Sequence, residues 1–316
     1  MVIRRSVGCN STRVRQALVM LAAGMTTRAS AQAVIGPVDR YVAVSQALTA
    51  FIEQEIRDKS IPALSIALVD DQQIVWSRGF GMEDAKAGRV ATAQTVYRVG
   101  SVSKLFTDIG VMQLVERGEI NLDSPVQKYL PSFHPRNSFG VPITLRQLMS
   151  HHSGLVREPP VGHYFDDTSP TLAATVASLN ATTLVYAPGT TQKYSNAAIA
   201  TVGYLLERRG HLPFAAYLQR AVLAPMGLQS SAFVPTPALL AHVPQAEMWS
   251  YHHHNFPAPT FQLGMSPAGS MYATMPDLGR FVSVLFNGGM GARGRVIEAK
   301  TLEAMWQPQF APPGAT

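Results

Sequence analysis

Between residues 61 and 81 the chain changes period. Residues 63–69 (Ala-Leu-Ser-Ile-Ala-Leu-Val) are a compact aliphatic run, Asp70, Asp71 and Gln72 make a turn, and residues 73–81 (Gln-Ile-Val-Trp-Ser-Arg-Gly-Phe-Gly) alternate. Two strand patterns separated by so short a turn pair antiparallel, because a parallel crossover needs a dozen or more residues. Residues 44–56 before them carry apolar side chains at helical spacing, closed by Arg57, Asp58, Lys59 and then Pro62. A helix followed by a hairpin is not a βαβ unit. A two-stranded hairpin is marginal alone and needs further strands or helices against it.

Beyond the hairpin the chain turns mostly helical. Residues 82–95 read as a polar surface excursion. Helices are expected over 143–149 with Thr144 as N-cap, 172–179, 197–209, 214–223, 277–286 and from 301; residues 156–170 and 231–265 read as loop and irregular chain. Strands first and helices after predict an α+β fold whose sheet is left unfinished at Thr316.

Composition bears on the two ends of this reading. The chain has 316 residues, 47% hydrophobic and 15% charged, which is the balance of a globular protein. No apolar run reaches the ~18 residues of a membrane span. Residues 1–33 stand apart: Arg4, Arg5, Arg13 and Arg15 precede a short apolar core at 17–25, and Ala29-Ser30-Ala31 and Ala33 come after it. This is the pattern of a secretory signal peptide cut after Ala31 or Ala33, with Arg4-Arg5 hinting at twin-arginine export. A periplasmic or secreted protein is expected, with no stable membrane span after cleavage. Removing 1–33 takes five of the 26 basic residues and none of the 20 acidic ones, leaving 21 against 20. A near-neutral chain gives no argument for nucleic-acid binding. The one cysteine, Cys9, goes with the signal, so neither a disulfide nor a cysteine metal site is expected.

Chemistry points to Ser101 and Lys104. They form an S-x-x-K at the start of a run in which Val102, Leu105, Phe106, Ile109 and Met112 recur at helical spacing, with Val111, Leu114 and Val115 on other faces. That pattern predicts a helix buried nearly all round, with Ser101 and Lys104 one turn apart on one face. A serine hydroxyl is a poor nucleophile until a base takes its proton. A lysine becomes such a base where burial or a helix N-terminus disfavours its charge. Backbone N–H groups at the helix start are candidate oxyanion donors. An ordinary capping serine beside a solvated lysine has the same letters.

Further segments carry a resemblance. Tyr194-Ser195-Asn196 is a Y-x-N placed after Pro188-Gly189 and before an Ala-rich helix. Residues 148–155 (Leu-Met-Ser-His-His-Ser-Gly-Leu) are similar to an L-L-x-H-x-S-G-L segment. Residues 268–274 with 277–281 are similar to A-G-G-L-x-S-T…D-L-A-R-F. In this order they resemble the serine β-lactamase and penicillin-binding-protein superfamily, in particular its class C-like branch of lactamases, esterases and D-peptidases. The resemblance runs from about residue 41 to the end. It implies a β-lactamase/transpeptidase-like α+β fold over residues 34–316, an antiparallel sheet flanked by helices plus a mostly helical subdomain. It also implies a serine hydrolase acting on a small-molecule or peptide-like acyl substrate, as an amide, ester or lactam, without cofactor or metal. Ser101 would form the acyl-enzyme, Lys104 and Tyr194 would share the proton transfers, and Asn196 would position Lys104 and the substrate's amide side. Which of Lys104 and Tyr194 is the base stays open. Asn196 also fits the N-cap of the helix it precedes.

The resemblance has a gap. The family's third motif, [KH]-[ST]-G, has no match after Asn196; His152-Ser153-Gly154 fits the letters but lies between the first two motifs. The expectation is that the remaining strands, this motif and a terminal helix lie beyond Thr316. A non-catalytic scaffold that keeps the fold is the alternative reading. Three other features weigh less. His252-His253-His254 cannot all face one ion from a regular element. Gly264-x-Ser266-x-Ala268 lacks the strand–turn–helix setting of a nucleophile elbow. Asp108, one turn past Lys104, is placed to pair with it or to turn elsewhere.

Overall fold

The computed structural model describes residues 35–249 and 255–310. The expected signal segment, Cys9 and the three consecutive histidines lie outside them.

Helix α1 (Val42–Lys59) stops where Ser60 turns left-handed ahead of Pro62. Strands β1 (Ala63–Asp70) and β2 (Gln73–Asp84) pair antiparallel from Ala63↔Gly81 to Asp70↔Gln73. Asp71 and Gln72 both take positive φ, 45° and 61°, the two-residue turn whose twist suits paired strands. β2 runs on to Asp84 and is paired by β3 (Arg89–Val90), so part of the expected surface excursion belongs to the sheet. Two paired residues are too few to show a period of two.

Next come β4 (Tyr97–Arg98), a 3₁₀ turn at Gly100–Val102 and α2 (Ser103–Glu116). The helical part continues with α3 (Leu145–Met149), α4 (Leu172–Ser178), α5 (Asn196–Gly210), α6 (Phe214–Leu218) and α7 (Ala224–Met226), the last two joined through a π turn at Gln219–Leu223. Residues 231–265, expected to be irregular, hold a short α8 (Pro237–Leu240) and the paired β5 (Glu247–Trp249) and β6 (Asn255–Pro257). The chain ends with α9 (Ser266–Gly269), β7 (Tyr272–Ala273), α10 (Met275–Phe286), the small pair β8 (Met290–Gly291) and β9 (Gly294–Arg295), and α11 (Ala299–Trp306). Thr144 caps α3 in a capping box with Gln147, as its sequence predicts.

The main sheet has the order β1-β2-β3. Leu48, Ile52 and Ile56 of α1 pack against Leu64, Ile66, Leu68, Trp76 and Phe80 on one of its faces, which period-two alternation brings together. α10 packs across β1 and β2. This is the α+β architecture of helices around antiparallel strands. The larger core is helical, with α2 and α5 in contact. Phe106 of α2 meets Phe281 of α10 with ring centroids 4.3 Å apart. Gly203 is what lets α5 touch α9: a Cβ there would stand 2.1 Å from the Pro267 ring. α2 departs from the all-round burial its composition predicts. Phe106, Ile109, Val111 and Leu114 are buried, whereas Leu105, and Val102 in the 3₁₀ turn just before the helix, are 46% and 38% exposed, because this end stands at the surface around Ser101. Among the described residues no helix is long and apolar enough to cross a membrane.

Candidate active site

β4 pairs with β7 through Tyr97↔Ala273 and Arg98↔Tyr272. One residue later the Val99 N–H donates to the Met271 carbonyl at 2.9 Å. Gly100, at φ 54°, then turns the chain into the 3₁₀ segment, a conformation glycine adopts without strain. Ser103 fixes the turn: its hydroxyl donates to the Gly100 carbonyl at 2.6 Å and accepts from the Met271 N–H at 3.1 Å. Arg98 donates to the Phe261 carbonyl at 3.3 Å and the Ser270 hydroxyl at 3.2 Å. Residues 97–103 are thus tied to residues 261–273, which are more than 150 positions away.

Ser101 does not cap the helix; no side-chain cap is made at the start of the 3₁₀ turn or of α2. Its Oγ lies 2.6 Å from Tyr194 Oη and 3.0 Å from Lys104 Nζ. The capping alternative therefore fails, and the hydroxyl belongs to a cluster. Nor is the lysine solvated. Lys104 is 6% exposed, and Nζ also donates to Asn196 Oδ1 at 2.8 Å and to the Ala268 carbonyl at 2.6 Å. An ammonium carries three N–H donors, and all three have acceptors. Tyr194 is more open, with Lys104 Nζ 4.9 Å from its ring centroid and Arg157 5.5 Å from it.

Asn196 is not the N-cap. Ser195 is: its Oγ accepts from the Ala198 N–H at 2.9 Å and donates to the Val156 carbonyl at 2.7 Å. With Ser195 capping, Asn196 becomes the first residue of α5 and its amide turns inward. Oδ1 takes the Lys104 bond, and Nδ2 donates to both carboxylate oxygens of Glu158 at 2.8 and 3.0 Å. The position toward which a substrate contact was expected is filled by Glu158 here.

His151 joins the cluster from the segment before α4. Its ring lies 4.5 Å from that of Tyr194, and Nδ1 accepts from the Ser195 N–H at 3.2 Å. Burial, then the charges of Lys104 and His152, lower its pKa to about 4, so the ring is neutral over most of the working range. Gly264 to Ala268 is no nucleophile elbow: a loop, not a strand, precedes α9. What that segment supplies is the Ala268 carbonyl.

Ser101, Lys104, Tyr194 and Asn196, predicted from sequence, all meet. Glu158, His151 and the Ala268 carbonyl were not predicted as partners. Glu158 sits in a loop with no motif of its own, and a backbone carbonyl has no sequence signature.

The chain is similar to known proteins in sequence and in fold. Residues 48–316 match the Beta-lactamase family model. The chain is 27% identical over 267 residues to Beta-lactamase-like protein 2 of Dictyostelium discoideum, covering 81% of this chain and 47% of that one. It is 30% identical over 200 residues to the esterase EstB of Burkholderia gladioli, covering 59% and 51%. The octameric penicillin-binding protein homologue from Pyrococcus abyssi superposes with a TM-score of 0.75 at 24% identity, over 86% of this chain and 62% of that one. The chain spans about half the length of the curated relatives it matches. By its family match, the chain belongs to the Beta-lactamase family.

Proposed function

We propose that this protein is a serine hydrolase that forms an acyl-enzyme at Ser101 on an ester, amide or lactam. The observation that carries the reading is the triangle of Ser101 Oγ, Lys104 Nζ and Tyr194 Oη, with edges from Ser101 of 3.0 and 2.6 Å. Nucleophile and base within hydrogen-bond reach, oriented by a third group, is the arrangement activation requires.

Hydrogen-bond accounting supports Tyr194 as the base. The Lys104 ammonium gives one N–H to Ser101 Oγ and the others to Asn196 Oδ1 and the Ala268 carbonyl. Ser101 Oγ accepts from that ammonium and in this reading gives its own proton to Tyr194 Oη, 2.6 Å away. In this reading Tyr194, as phenolate beside the ammonium, takes that proton while Ser101 Oγ bonds to the carbonyl carbon. The tetrahedral intermediate then expels its leaving group, which receives the proton from Tyr194. Water repeats the sequence on the acyl-enzyme. The Ser101 N–H, which has no acceptor among the described residues, is available to the developing oxyanion. The family's esterase and lactamase names support the acyl-transfer class. The pattern of residues 1–33 supports export as part of the same reading, and N-terminal sequencing of the exported protein is expected to begin at Gln32 or Val34.

Mass spectrometry tests the reading. After incubation with a fluorophosphonate, a penicillin and a p-nitrophenyl ester, an adduct is expected on Ser101 and absent from Ser101→Ala. A folded full-length protein that takes no adduct from any of them would move the molecule to the scaffold reading.

A further inference from the structure

The Asn196 amide is gripped at both ends. Its oxygen accepts from the Lys104 ammonium at 2.8 Å, and its nitrogen donates to both oxygens of the Glu158 carboxylate at 2.8 and 3.0 Å. The two ends of an asparagine amide are nearly alike in shape and opposite in hydrogen-bonding character. Turned over, this one would aim N–H groups at an ammonium and a carbonyl oxygen at a carboxylate. Every contact would change from attraction to repulsion. Asn196 is 1% exposed, so no water is at hand to relieve a wrong orientation.

Glu158 is itself held in place. Arg157 Nε donates to its Oε1 at 3.2 Å. The Arg157 carbonyl accepts from the Asn196 N–H at 2.8 Å and the Ala197 N–H at 3.2 Å. One dipeptide of the loop before α4 therefore fixes both the backbone and the side chain of Asn196. No carboxylate accepts directly from Lys104; its three acceptors are a hydroxyl, an amide oxygen and a backbone carbonyl. Glu158 supplies a carboxylate at one remove, through the amide.

We propose that Glu158 is a positioning residue that sets the orientation of the Asn196 amide and, through it, the place of the Lys104 ammonium beside Ser101. The proposal rests on the acyl-enzyme reading. Removing Glu158 leaves Nδ2 without its acceptor, loosens the amide and costs Lys104 one of its anchors. Glu158 acts on Ser101 only through the Asn196 amide and the Lys104 ammonium, so the loss is expected to fall on turnover more than on binding.

The test compares Glu158→Leu, Glu158→Gln, Asn196→Ala and the double variant Glu158→Leu/Asn196→Ala, each checked for folding by thermal unfolding. For ester hydrolysis, Glu158→Leu is expected to lower kcat, and the rate of fluorophosphonate labelling of Ser101, by about tenfold with KM within about twofold. Glu158→Gln keeps one acceptor oxygen and is expected to recover to within about threefold of wild type. The double variant should be no worse than Asn196→Ala, because the two residues act as one unit. Wild-type rates in Glu158→Leu, a Gln variant as poor as the Leu variant, or additive losses would overturn the proposal. A second arm needs no activity: in protein labelled with ¹⁵N-asparagine, the Asn196 side-chain NH₂ resonances should move strongly in Glu158→Leu and little in Glu158→Gln. Unmoved resonances in Glu158→Leu overturn the positioning role even if Ser101 proves inert. Moved resonances in a wild type that takes no adduct sink the acyl-enzyme reading and leave the amide grip standing.

Discussion

Lys104 and Asp108 lie one turn apart on the same face of α2, yet their surroundings are opposite. Around Lys104 the chain has gathered three acceptors for three N–H groups. Around Asp108 it has gathered almost none: Oδ1 is enclosed without a hydrogen-bond partner. The same face continues through Met112 and Val115 into a cavity of about 1340 Å³, lined also by Leu122, Met149 and Met305. Burial drives the Asp108 carboxyl well above the usual carboxylate range, and the Lys104 charge only partly opposes it. A buried charge persists where hydrogen bonds replace its water and is avoided by protonation where they do not. Sequence spacing leaves Asp108 placed to pair with Lys104 or to turn elsewhere; no bond between the two is made among the described residues.

The comparison breaks most visibly if the populated side is emptied. Lys104→Met is expected to lower the rate of Ser101 acylation by about 10³-fold, the scale of a lost acid–base partner. It also strands Asn196 Oδ1 and the Ala268 carbonyl, both on buried residues, and should lower unfolding stability in urea by about 2 kcal/mol. A Met variant that labels at the wild-type rate would remove Lys104 from the mechanism.

Emptying the other side should do the reverse. Asp108→Asn keeps the shape and the enclosed oxygen but cannot ionise. In the wild type the folded pKa lies above the unfolded value of 3.8, so folding holds on to a proton that the unfolded chain releases. That contribution is complete below about pH 3.8 and is lost as pH rises through the folded pKa. At pH 8 the Asn variant should therefore be more stable by about 1 kcal/mol, converging with wild type near pH 3.5. Its acylation rate should stay within about twofold of wild type, since no bond links Asp108 to the cluster. A less stable Asn variant at pH 8 would mean that the carboxylate has found a partner.

Legibility in the sequence tracks the range of the interaction. The hairpin, α2 and the capped α3 are set by neighbours within a few residues, and period and caps announce them. Ser101, Lys104, Tyr194 and Asn196 are legible through motif spacing and order. The identity of the α5 cap is not, because Ser195 and Asn196 are both good caps and the Val156 carbonyl, 39 positions away, settles the choice. Nor are the Ala268 carbonyl and the Glu158 carboxylate legible, at separations of 164 and 38 residues from the atoms they hold. β4 and β7 are two residues each, so their pairing is visible only in three dimensions.

His151 stands on the border between the two sides of α2. It lines the cavity with Asp108, and its ring lies against that of Tyr194 at a 40° tilt. Its pKa of about 4 comes first from burial and next from the Lys104 charge. The folded value lies below the usual 6.5, so its contribution to stability is present above about pH 6.5 and is lost as pH falls through about 4. Lys104→Met separates the causes. Removing the cation should raise the His151 titration, tracked by its ring carbon-bound proton in NMR, above about 4, while burial keeps it below 6.5. The stability loss on acidification should then begin at the same pH and end at a higher one. A His151 that still titrates near 4 in Lys104→Met would show that the Lys104 charge is contained by its three acceptors, and the two sides of the helix would be electrically separate as well as differently populated.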